Sequence, residues 1–336
     1  MPADRANSAH AGNAILVAVD YLVANPFTGG LRFFLRGFIV AYTSASPRQI
    51  VGASGISIDR ALRKLFPSTS KLTFNPLFRA VVNAADVIPR MVFPEFRALP
   101  PNHLRIRVGV GNRILNNQTH FLVHARDFWM FVFCEGIADM QSDILDIGVG
   151  CGRWAHWLRD YNFRGRSFGG TYVGIDIDEE AIEWCRKNYD AEHFRFEHSS
   201  DASVSYNQAT AARTPYRIPA ADAAFDLVFS NSLLTHLLDG ELENYLRESH
   251  RLLRTGGAMM HSHFNIEHPP ATYGTRHTFQ HRLGNALIES EAQPEAAVAY
   301  HTDFLFDLCR RIGFSACEIV HMPGGAQHQP ILLCRK

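Results

Sequence analysis

Three glycines at alternate positions follow a short apolar run near the middle of the chain. The phrase "ILDIGVGCGRW" begins at Ile144 and contains Gly148, Gly150 and Gly152. Glycine has no Cβ atom, so a ligand can approach the backbone of such a turn closely. A helix that starts at the turn adds unpaired N–H groups, which attract the polar or anionic parts of a nucleotide. The pattern therefore predicts a site for a nucleotide-type ligand.

The spacing of these glycines separates the known kinds of nucleotide site. A dinucleotide fold requires G-x-G-x-x-G, whereas the third glycine here comes one residue early and Arg153 occupies the dinucleotide position. A P-loop requires Gly-Lys-Ser/Thr, which does not follow the turn. The phrase D-x-G-x-G-x-G, which starts at Asp146, therefore disfavours a nicotinamide-dependent oxidoreductase, which we keep as an alternative.

A carboxylate stands at the end of the next apolar run, "YVGIDID". Asp176 ends this predicted strand, thirty residues after Asp146. A carboxylate at the tip of the second strand lies beside the glycine turn and can accept hydrogen bonds from both ribose hydroxyls. Asp178 is the better candidate for the N-cap of the following helix, which leaves Asp176 for the ribose.

Short apolar runs alternate with helical segments over the second half of the chain. The runs predicted as strands are 143–148, 171–177, 193–199, 225–231 and 256–264. Strands that alternate with helices at this spacing form βαβ units and a parallel sheet. A helix from a cap at Thr302 to a stop at Gly313 follows, and two runs at 315–322 and 329–336 then predict a terminal hairpin.

Together these motifs resemble those of the class I S-adenosylmethionine-dependent methyltransferases. The resemblance covers about residues 120–336, and five phrases carry it in order: "ILDIGVGCGRW", "YVGIDIDEEAIEWC", "YRIPAADAAFDLVFSNSLLTHL", "LRESHRLLRTGGAMM" and "TDFLFDLCRRIGF". It implies a Rossmann-like α/β fold, with a seven-stranded sheet whose last strand is antiparallel. It also implies S-adenosyl-L-methionine as the cofactor. The antiparallel last strand agrees with the terminal hairpin that the residues themselves predict.

The resemblance assigns cofactor contacts residue by residue. Gly148 and Gly150 would line the methionine part of the cofactor, with Asp146 near its amino group. Asp176 would hold the ribose, and Ile177 would pack on the adenine ring.

The other cofactor positions leave alternatives open. Either Ser200 or Asp201 would lie near the adenine amino group, because the register is uncertain by one residue. Ser230 and Asn231, at the end of the fourth predicted strand, would face the sulfonium end. Arg153 would pair either with the cofactor carboxylate or with a neighbour on its own helix.

Methyl transfer to a hydroxyl requires a base that takes the proton, and histidine suits this role near neutral pH. His236 follows the fourth predicted strand, and His263 alternates with His261 on the fifth. His236 and His263 are the candidate bases, and each has an alternative as a structural histidine. His263 with His268 or His281 matches no defined metal-ligand spacing, so we expect no metal.

The chain is expected to divide into an N-terminal extension and a catalytic domain. Residues 1–13 are small and polar and predict a disordered tail. The patterns of residues 14–120 predict mainly helices, and the resemblance implies that such an extension caps the site and selects the substrate. Residues 121–336 form the predicted methyltransferase domain, and the insert 265–300 stands where this fold commonly carries a substrate lid.

Composition limits the partners. Lys plus Arg and Asp plus Glu number 33 each, so the net charge is zero, and this balance disfavours nucleic acid as a partner. Arg105, Arg107 and Arg113 either bind an anionic group of the acceptor or are packing residues. The segment 31–42 mixes apolar residues with arginines, so contact with a membrane surface is an alternative to burial. Six cysteines without a C-x-x-C pair predict reduced thiols in the cytoplasm.

The leading hypothesis is an S-adenosylmethionine-dependent methyltransferase that acts on a hydroxyl group of a small molecule or a glycan. The alternatives are an N- or C-methyltransferase and a non-catalytic, cofactor-binding scaffold with the same fold. The intact glycine turn and the intact Asp176 disfavour the scaffold.

Overall fold

The computed structural model of the chain describes residues 72–108, 114–115, 117–199, 216–267, 277–322 and 329–336. It contains two compact units, which divide between Gln118 and Thr119. Several predicted features lie outside the described residues: the tail 1–13, the segment 31–42, Arg113, Ser200, Asp201 and His268.

The described part of the N-terminal unit contains helices. Its helices are α1 Pro76–Ala85, α2 Val87–Val92 and α3 Asn102–Arg107. Asn75 caps α1, because its side-chain oxygen accepts the N–H groups of Leu77 and Phe78 at 2.9 and 3.1 Å. This cap satisfies two of the N–H groups that a helix start leaves without a partner.

Arg105 is a packing residue of the N-terminal unit. Its side chain is only 1% exposed, and its guanidinium donates to the Asp86 carboxylate at 2.6 Å. Asn117 accepts a second hydrogen bond from it at 2.8 Å. A buried cation with these partners is not available to an anionic substrate, so the packing alternative holds for Arg105. Arg107 donates to Thr73 in the same unit, at 3.0 Å.

The second unit alternates strands with helices after a long first helix. The helices from the unit boundary onward are α4 Gln118–Cys134, α5 Arg153–Asp160, α6 Glu179–Asn188, α7 Asp239–Leu252 and α8 Thr302–Ile312. The strands are β1 Ile144–Ile147, β2 Tyr172–Asp176, β3 Phe194–His198, β4 Phe225–Ser230, β5 Leu253–Ser262, β6 Phe264–Asn265, β7 His281–Leu283, β8 Ala286–Ile288, β9 Val298–Tyr300, β10 Ala316–Val320 and β11 Ile331–Arg335.

Seven of the described strands form one sheet in the order β10-β11-β5-β4-β1-β2-β3. β1 pairs parallel with β2 and with β4, and β11 pairs antiparallel with both β5 and β10. This is the predicted α/β sheet with an antiparallel last strand. The strand order reverses between β1 and β4, and ligands of open α/β sheets bind at the carboxyl ends of the strands at this point.

Apolar layers cover both faces of the sheet. On β1, Ile144 belongs to a core that also contains Phe128 of α4, and Leu145 belongs to a core that also contains Leu246 of α7. Strands buried on both faces read as continuous apolar runs, which explains the phrases from which the strands were predicted. The rigid sheet therefore fixes the positions of the loops at its carboxyl edge.

The insert between β5 and α8 forms a sheet of its own. β6, β9, β8 and β7 pair in that order, with β7-β8 antiparallel. Tyr300 of β9 donates its hydroxyl hydrogen to the carbonyl of Leu237, at 2.9 Å. Asn285, between β7 and β8, donates to the carboxylate of Asp239 at 2.8 Å. The insert is thus fastened to the segment that follows β4.

The predicted cap of α8 is wrong by one residue. His301 is the N-cap, with extended backbone, and Thr302 is the first helical residue. The carboxylate of Glu267 accepts the N–H of Thr302 at 3.1 Å and its hydroxyl at 2.8 Å. A distant side chain therefore does what a local cap usually does. The predicted stop is confirmed, because Gly313 ends the helix.

Among the described residues, every helix is too short or too polar to cross a membrane.

Candidate active site

The glycine turn after β1 adopts a backbone that only glycine takes without strain. Gly148, Gly150 and Gly152 have φ angles of +88°, +53° and +76°, in the region where a Cβ atom clashes with its own backbone. The Gly148 N–H donates to the carbonyl of Ile175 at 2.8 Å. The turn therefore leaves β1, bonds to the end of β2, and enters α5 at Arg153.

The glycines at the two ends of the turn face different surroundings. A Cβ atom built on Gly148 meets no atom within 4 Å, and this residue is exposed. A Cβ atom built on Gly152 would lie 2.8 Å from the hydroxyl oxygen of Tyr189. Gly152 is thus required for packing, while Gly148 borders open space. That space suits a ligand lying against bare backbone.

Asp146 lies directly before the turn and is fully buried. One of its carboxyl oxygens accepts the hydroxyl hydrogen of Tyr172, and the other has no hydrogen-bond partner among the described residues. Burial raises the pKa of the Asp146 carboxyl to about 8, with a further contribution from Asp176. A buried carboxyl oxygen without a partner is energetically costly, and a cationic ligand group would satisfy it.

Arg153, the first residue of α5, places a buried cation at the other side of the turn. Its guanidinium carbon lies 5.5 Å from the ring centre of Trp154 and 5.7 Å from that of Phe121. Burial lowers the pKa of the Arg153 guanidinium to about 10, and Asp146 opposes that shift. The side chain therefore carries its charge at neutral pH. An acidic group and a cation lie close together next to the glycine turn.

Asp176 ends β2 and holds the glycine turn in place. Its carboxylate accepts the N–H of Gly150 at 2.6 Å and the N–H of Asp178 at 2.8 Å. Burial raises the pKa of the Asp176 carboxyl, and the two backbone hydrogen bonds oppose this shift. Asp178 caps α6 as predicted, by accepting the N–H of Ala181. Ile177, between them, is 38% exposed and presents an apolar surface beside the turn.

Ser230 ends β4 with its side chain directed into the protein. Its hydroxyl lies 2.7 Å from Nδ1 of His261 on β5, and the other ring nitrogen of His261 lies 2.9 Å from the hydroxyl of Ser249 on α7. Burial lowers the pKa of the His261 imidazole to about 3. His261 is therefore a neutral, structural histidine that joins two strands and a helix.

A polar cluster lies just beyond β4 and β5, where sequence reasoning found only Asn231. The Ser262 hydroxyl lies 3.0 Å from the side-chain oxygen of Asn231 and 2.9 Å from that of Gln329. The Ser232 N–H donates to the Ser262 hydroxyl at 2.6 Å, and Ser232 has a φ of +65°. A non-glycine residue in that conformation is a recurring feature of functional sites. The SNS phrase at 230–232 is the signal that locates this cluster.

The two candidate bases have different surroundings. His236 lies on a short 3-10 helix after β4, half-buried, with Nδ1 2.8 Å from the carbonyl oxygen of Glu295. A carbonyl oxygen only accepts, so Nδ1 carries the proton and Nε2 is the basic nitrogen. His263 is 1% exposed and follows β5. The geometry thus gives His236 the tautomer and the exposure that a base needs.

A comparison with protein families identifies the family of this part of the chain. Residues 145–261, from β1 to β5, match the model of the methyltransferase domain family. This part of the chain is a class I S-adenosylmethionine-dependent methyltransferase domain. The cofactor of the methyltransferase domain is S-adenosyl-L-methionine.

One curated relative of the methyltransferase domain is an arsenite methyltransferase of Aquipseudomonas alcaligenes. The two are 30% identical over 211 residues, which cover 61% of this chain and 53% of the relative. The chain therefore spans about half the length of this relative.

Solved structures similar to the methyltransferase domain include two proteins of low sequence identity. A methyltransferase from Methanosarcina mazei is 17% identical, with a TM-score of 0.41, over 61% of this chain and 96% of that chain. The 1,6-didemethyltoxoflavin-N1-methyltransferase of Burkholderia thailandensis, with S-adenosylhomocysteine bound, is 19% identical. Its TM-score is 0.40 over 67% of this chain and 82% of that chain.

Proposed function

We propose that this chain transfers the methyl group of S-adenosylmethionine to a hydroxyl oxygen of a small molecule or a glycan. The observation that carries the proposal is the placement of His236. It follows the strand at the switch point of the sheet, and the Glu295 carbonyl holds its Nδ1 at 2.8 Å. A neutral imidazole oriented in this way accepts a hydroxyl proton at Nε2.

The cofactor supplies an electrophilic methyl group on a sulfonium. The residues around the glycine turn fit its methionine part. The free oxygen of Asp146 is the acceptor for the amino group, and Arg153 is the cation for the carboxylate. Gly148 leaves space for the methionine part of the cofactor, because no Cβ atom fills it. These roles rest on the burial and the missing partner of the Asp146 oxygen.

The edge of β2 suits the nucleoside part. Each oxygen of Asp176 already accepts one backbone N–H, and a carboxylate oxygen has two acceptor positions. The free positions are the ones that the two ribose hydroxyls would use. The two backbone hydrogen bonds keep the carboxylate fixed, so ribose binding costs little further ordering. Ile177 offers its exposed side chain to the adenine ring.

The chain's own residues have three tasks in the reaction. The glycine turn and Asp176 would hold the cofactor, which would supply the methyl group. Asn231 and Gln329 of the polar cluster bind the acceptor and orient its hydroxyl group. His236 takes the hydroxyl proton as the oxygen attacks. The gain comes mostly from alignment of the reacting atoms, with general base catalysis adding about 10²–10⁴-fold.

The test distinguishes loss of the catalytic base from loss of the folded, cofactor-binding protein. Protein is incubated with methyl-labelled S-adenosylmethionine and a panel of phenols, sugar alcohols and glycans, and release of S-adenosylhomocysteine is followed. We expect His236→Gln to lower turnover about 10²-fold or more with unchanged affinity for S-adenosylhomocysteine, and His263→Gln to keep turnover. Full activity in His236→Gln refutes the base. Turnover only with amines points to N-methylation, and no turnover with intact cofactor binding points to the scaffold.

A further inference from the structure

Three cysteine thiols meet at the antiparallel edge of the large sheet. Cys309 lies on α8, Cys317 on β10 and Cys334 on β11. Their sulfur atoms all lie within 4.8 Å of one another. Cys309 and Cys334 are buried, and Cys317 is half-buried. We call these three residues the thiol cluster.

The fold brings the thiol cluster together through two independent contacts. Cys317 and Cys334 are directly opposite partners in the β10-β11 hairpin, and opposite partners point to the same face of a sheet. Cys309 belongs to the same apolar core as Cys334, in the last third of α8. The cluster therefore ties together a helix and both strands of the terminal hairpin.

The thiol cluster is separate from the cofactor site. Cys334 pairs with Met259, three residues before Ser262 at the carboxyl end of β5. At about 3.3 Å per residue, this places the cluster roughly 10 Å from the edge that carries the glycine turn and the polar cluster. The thiols therefore have no part in holding the cofactor.

Three sulfurs at this spacing have the geometry of a soft-metal site. A zinc ion binds thiolate sulfur at about 2.3 Å, so three ligands of one ion lie about 3.8–4.0 Å apart. The thiol cluster needs a contraction of less than about 1 Å to reach that spacing, which side-chain torsions supply. Among the described residues, no carboxylate or imidazole belongs to the cluster, so it favours ions that prefer sulfur over oxygen.

Access to solvent agrees with such a site. Because Cys317 is half-buried, an ion can enter from its side.

We propose that Cys309, Cys317 and Cys334 form a three-thiolate site for a thiophilic divalent cation of the Zn²⁺ class. Binding forms three metal–sulfur bonds and releases the thiol protons to solvent, so no electron is transferred. The fourth position stays open to water on the Cys317 side. The bound ion cross-links α8 to the terminal hairpin and stabilises the edge of the sheet.

The experiment uses Cd²⁺ as a spectroscopic probe on the full-length, reduced protein. Cd²⁺–thiolate bonds give an ultraviolet charge-transfer band, whose growth measures both affinity and stoichiometry. We expect one tight Cd²⁺ per chain, displaced by Zn²⁺. Loss of an outer-sphere partner weakens metal sites about 10–100-fold, so loss of a direct ligand in Cys317→Ser should cost at least about 100-fold. Cys134→Ser removes an exposed thiol outside the cluster and should leave the tight site intact.

Because loss of a buried thiol can weaken folding, Cys309→Ala is measured beside Cys317→Ser, and S-adenosylhomocysteine binding checks that both variants fold. Tight Cd²⁺ binding that survives in both folded variants overturns the proposal. Tight binding that is lost in Cys134→Ser also overturns it. So does a reduced wild-type protein that shows no charge-transfer band with Cd²⁺.

Discussion

A substitution at the buried Asp146 can separate the effect of its ionisable group from the effect of its side-chain shape. Asp146→Asn keeps the volume of the side chain and an oxygen that accepts the Tyr172 hydroxyl hydrogen. It removes a carboxyl whose pKa burial raises from 3.8 to about 8. Between these two values the folded state keeps a proton that the unfolded state has lost. The stability of the wild type therefore falls as pH rises from about 4 to about 8.

The size of the effect follows from proton linkage. One proton of difference changes the free energy of unfolding by about 1.4 kcal/mol per pH unit. From about pH 5 to about pH 7, both inside the window, the wild type should lose about 2.7 kcal/mol relative to Asp146→Asn. For a unit of this size that corresponds to a relative change in Tm of roughly 5–10 °C.

The assay is urea unfolding followed by tryptophan fluorescence. All four tryptophans lie after Gln118, so the signal reports the unit that contains Asp146. Each protein is measured across the pH range without cofactor, and the difference between the two proteins cancels the other titrating groups. If the free energy of unfolding of the wild type relative to Asp146→Asn stays constant from about pH 5 to about pH 7, the raised pKa is refuted. If it rises over this range, the pKa shift has the opposite sign.

Three further predictions follow from the same site. Binding of S-adenosylhomocysteine near pH 7 should release close to one proton, because the amino group of the ligand favours the ionised form of Asp146. Calorimetric titration in buffers of different ionisation enthalpy measures the number of protons released. Asp146→Asn should abolish this release. Gly152→Ala should lower the free energy of unfolding by about 2 kcal/mol or more, from backbone strain and overpacking. Gly148→Ala should lower the free energy of unfolding by only about 1 kcal/mol, but it should weaken S-adenosylhomocysteine binding. Equal losses of unfolding free energy in the two glycine variants would contradict the packing argument.

Local patterns were enough to predict the sheet and its caps where the partners are close in sequence. The strand end at Asp176, the cap at Asp178 and the stop at Gly313 each depend on residues within a few positions. Parallel strands and their helices follow from the spacing of apolar runs, since each run must be buried on both faces. The glycine phrase is informative for the same reason, because its φ angles are set locally.

Contacts between distant segments were not predictable from one sequence. Glu267 takes over part of the cap of α8 from 35 residues away, and Gln329 joins Ser262 only because β11 lies beside β5. Cys309 and Cys334 come together only because α8 packs against the terminal hairpin. These contacts depend on the packing of helices and on strand register, for which the chain carries no local signal.

The polar cluster shows why part of the site could not be predicted from the sequence. Its members include Gln329, Ser262 and Ser232. Each is an ordinary polar residue by type, and the three are separated by up to 97 positions. Only the sheet order places their side chains at one edge. Histidines posed the opposite problem, because the sequence offered more than one plausible base. The contact with the Glu295 carbonyl supports His236 in our proposal, and no local pattern predicts that contact.

Calorimetric titration with S-adenosylhomocysteine tests the central claim most directly, on wild type and on Asp176→Ala, with NADH as the comparison ligand. We expect one saturable site per chain for S-adenosylhomocysteine and none for NADH. Loss of the charged hydrogen bonds to ribose should weaken binding in Asp176→Ala at least about tenfold. Absence of S-adenosylhomocysteine binding to wild type, or saturable binding of NADH in its place, would contradict the account.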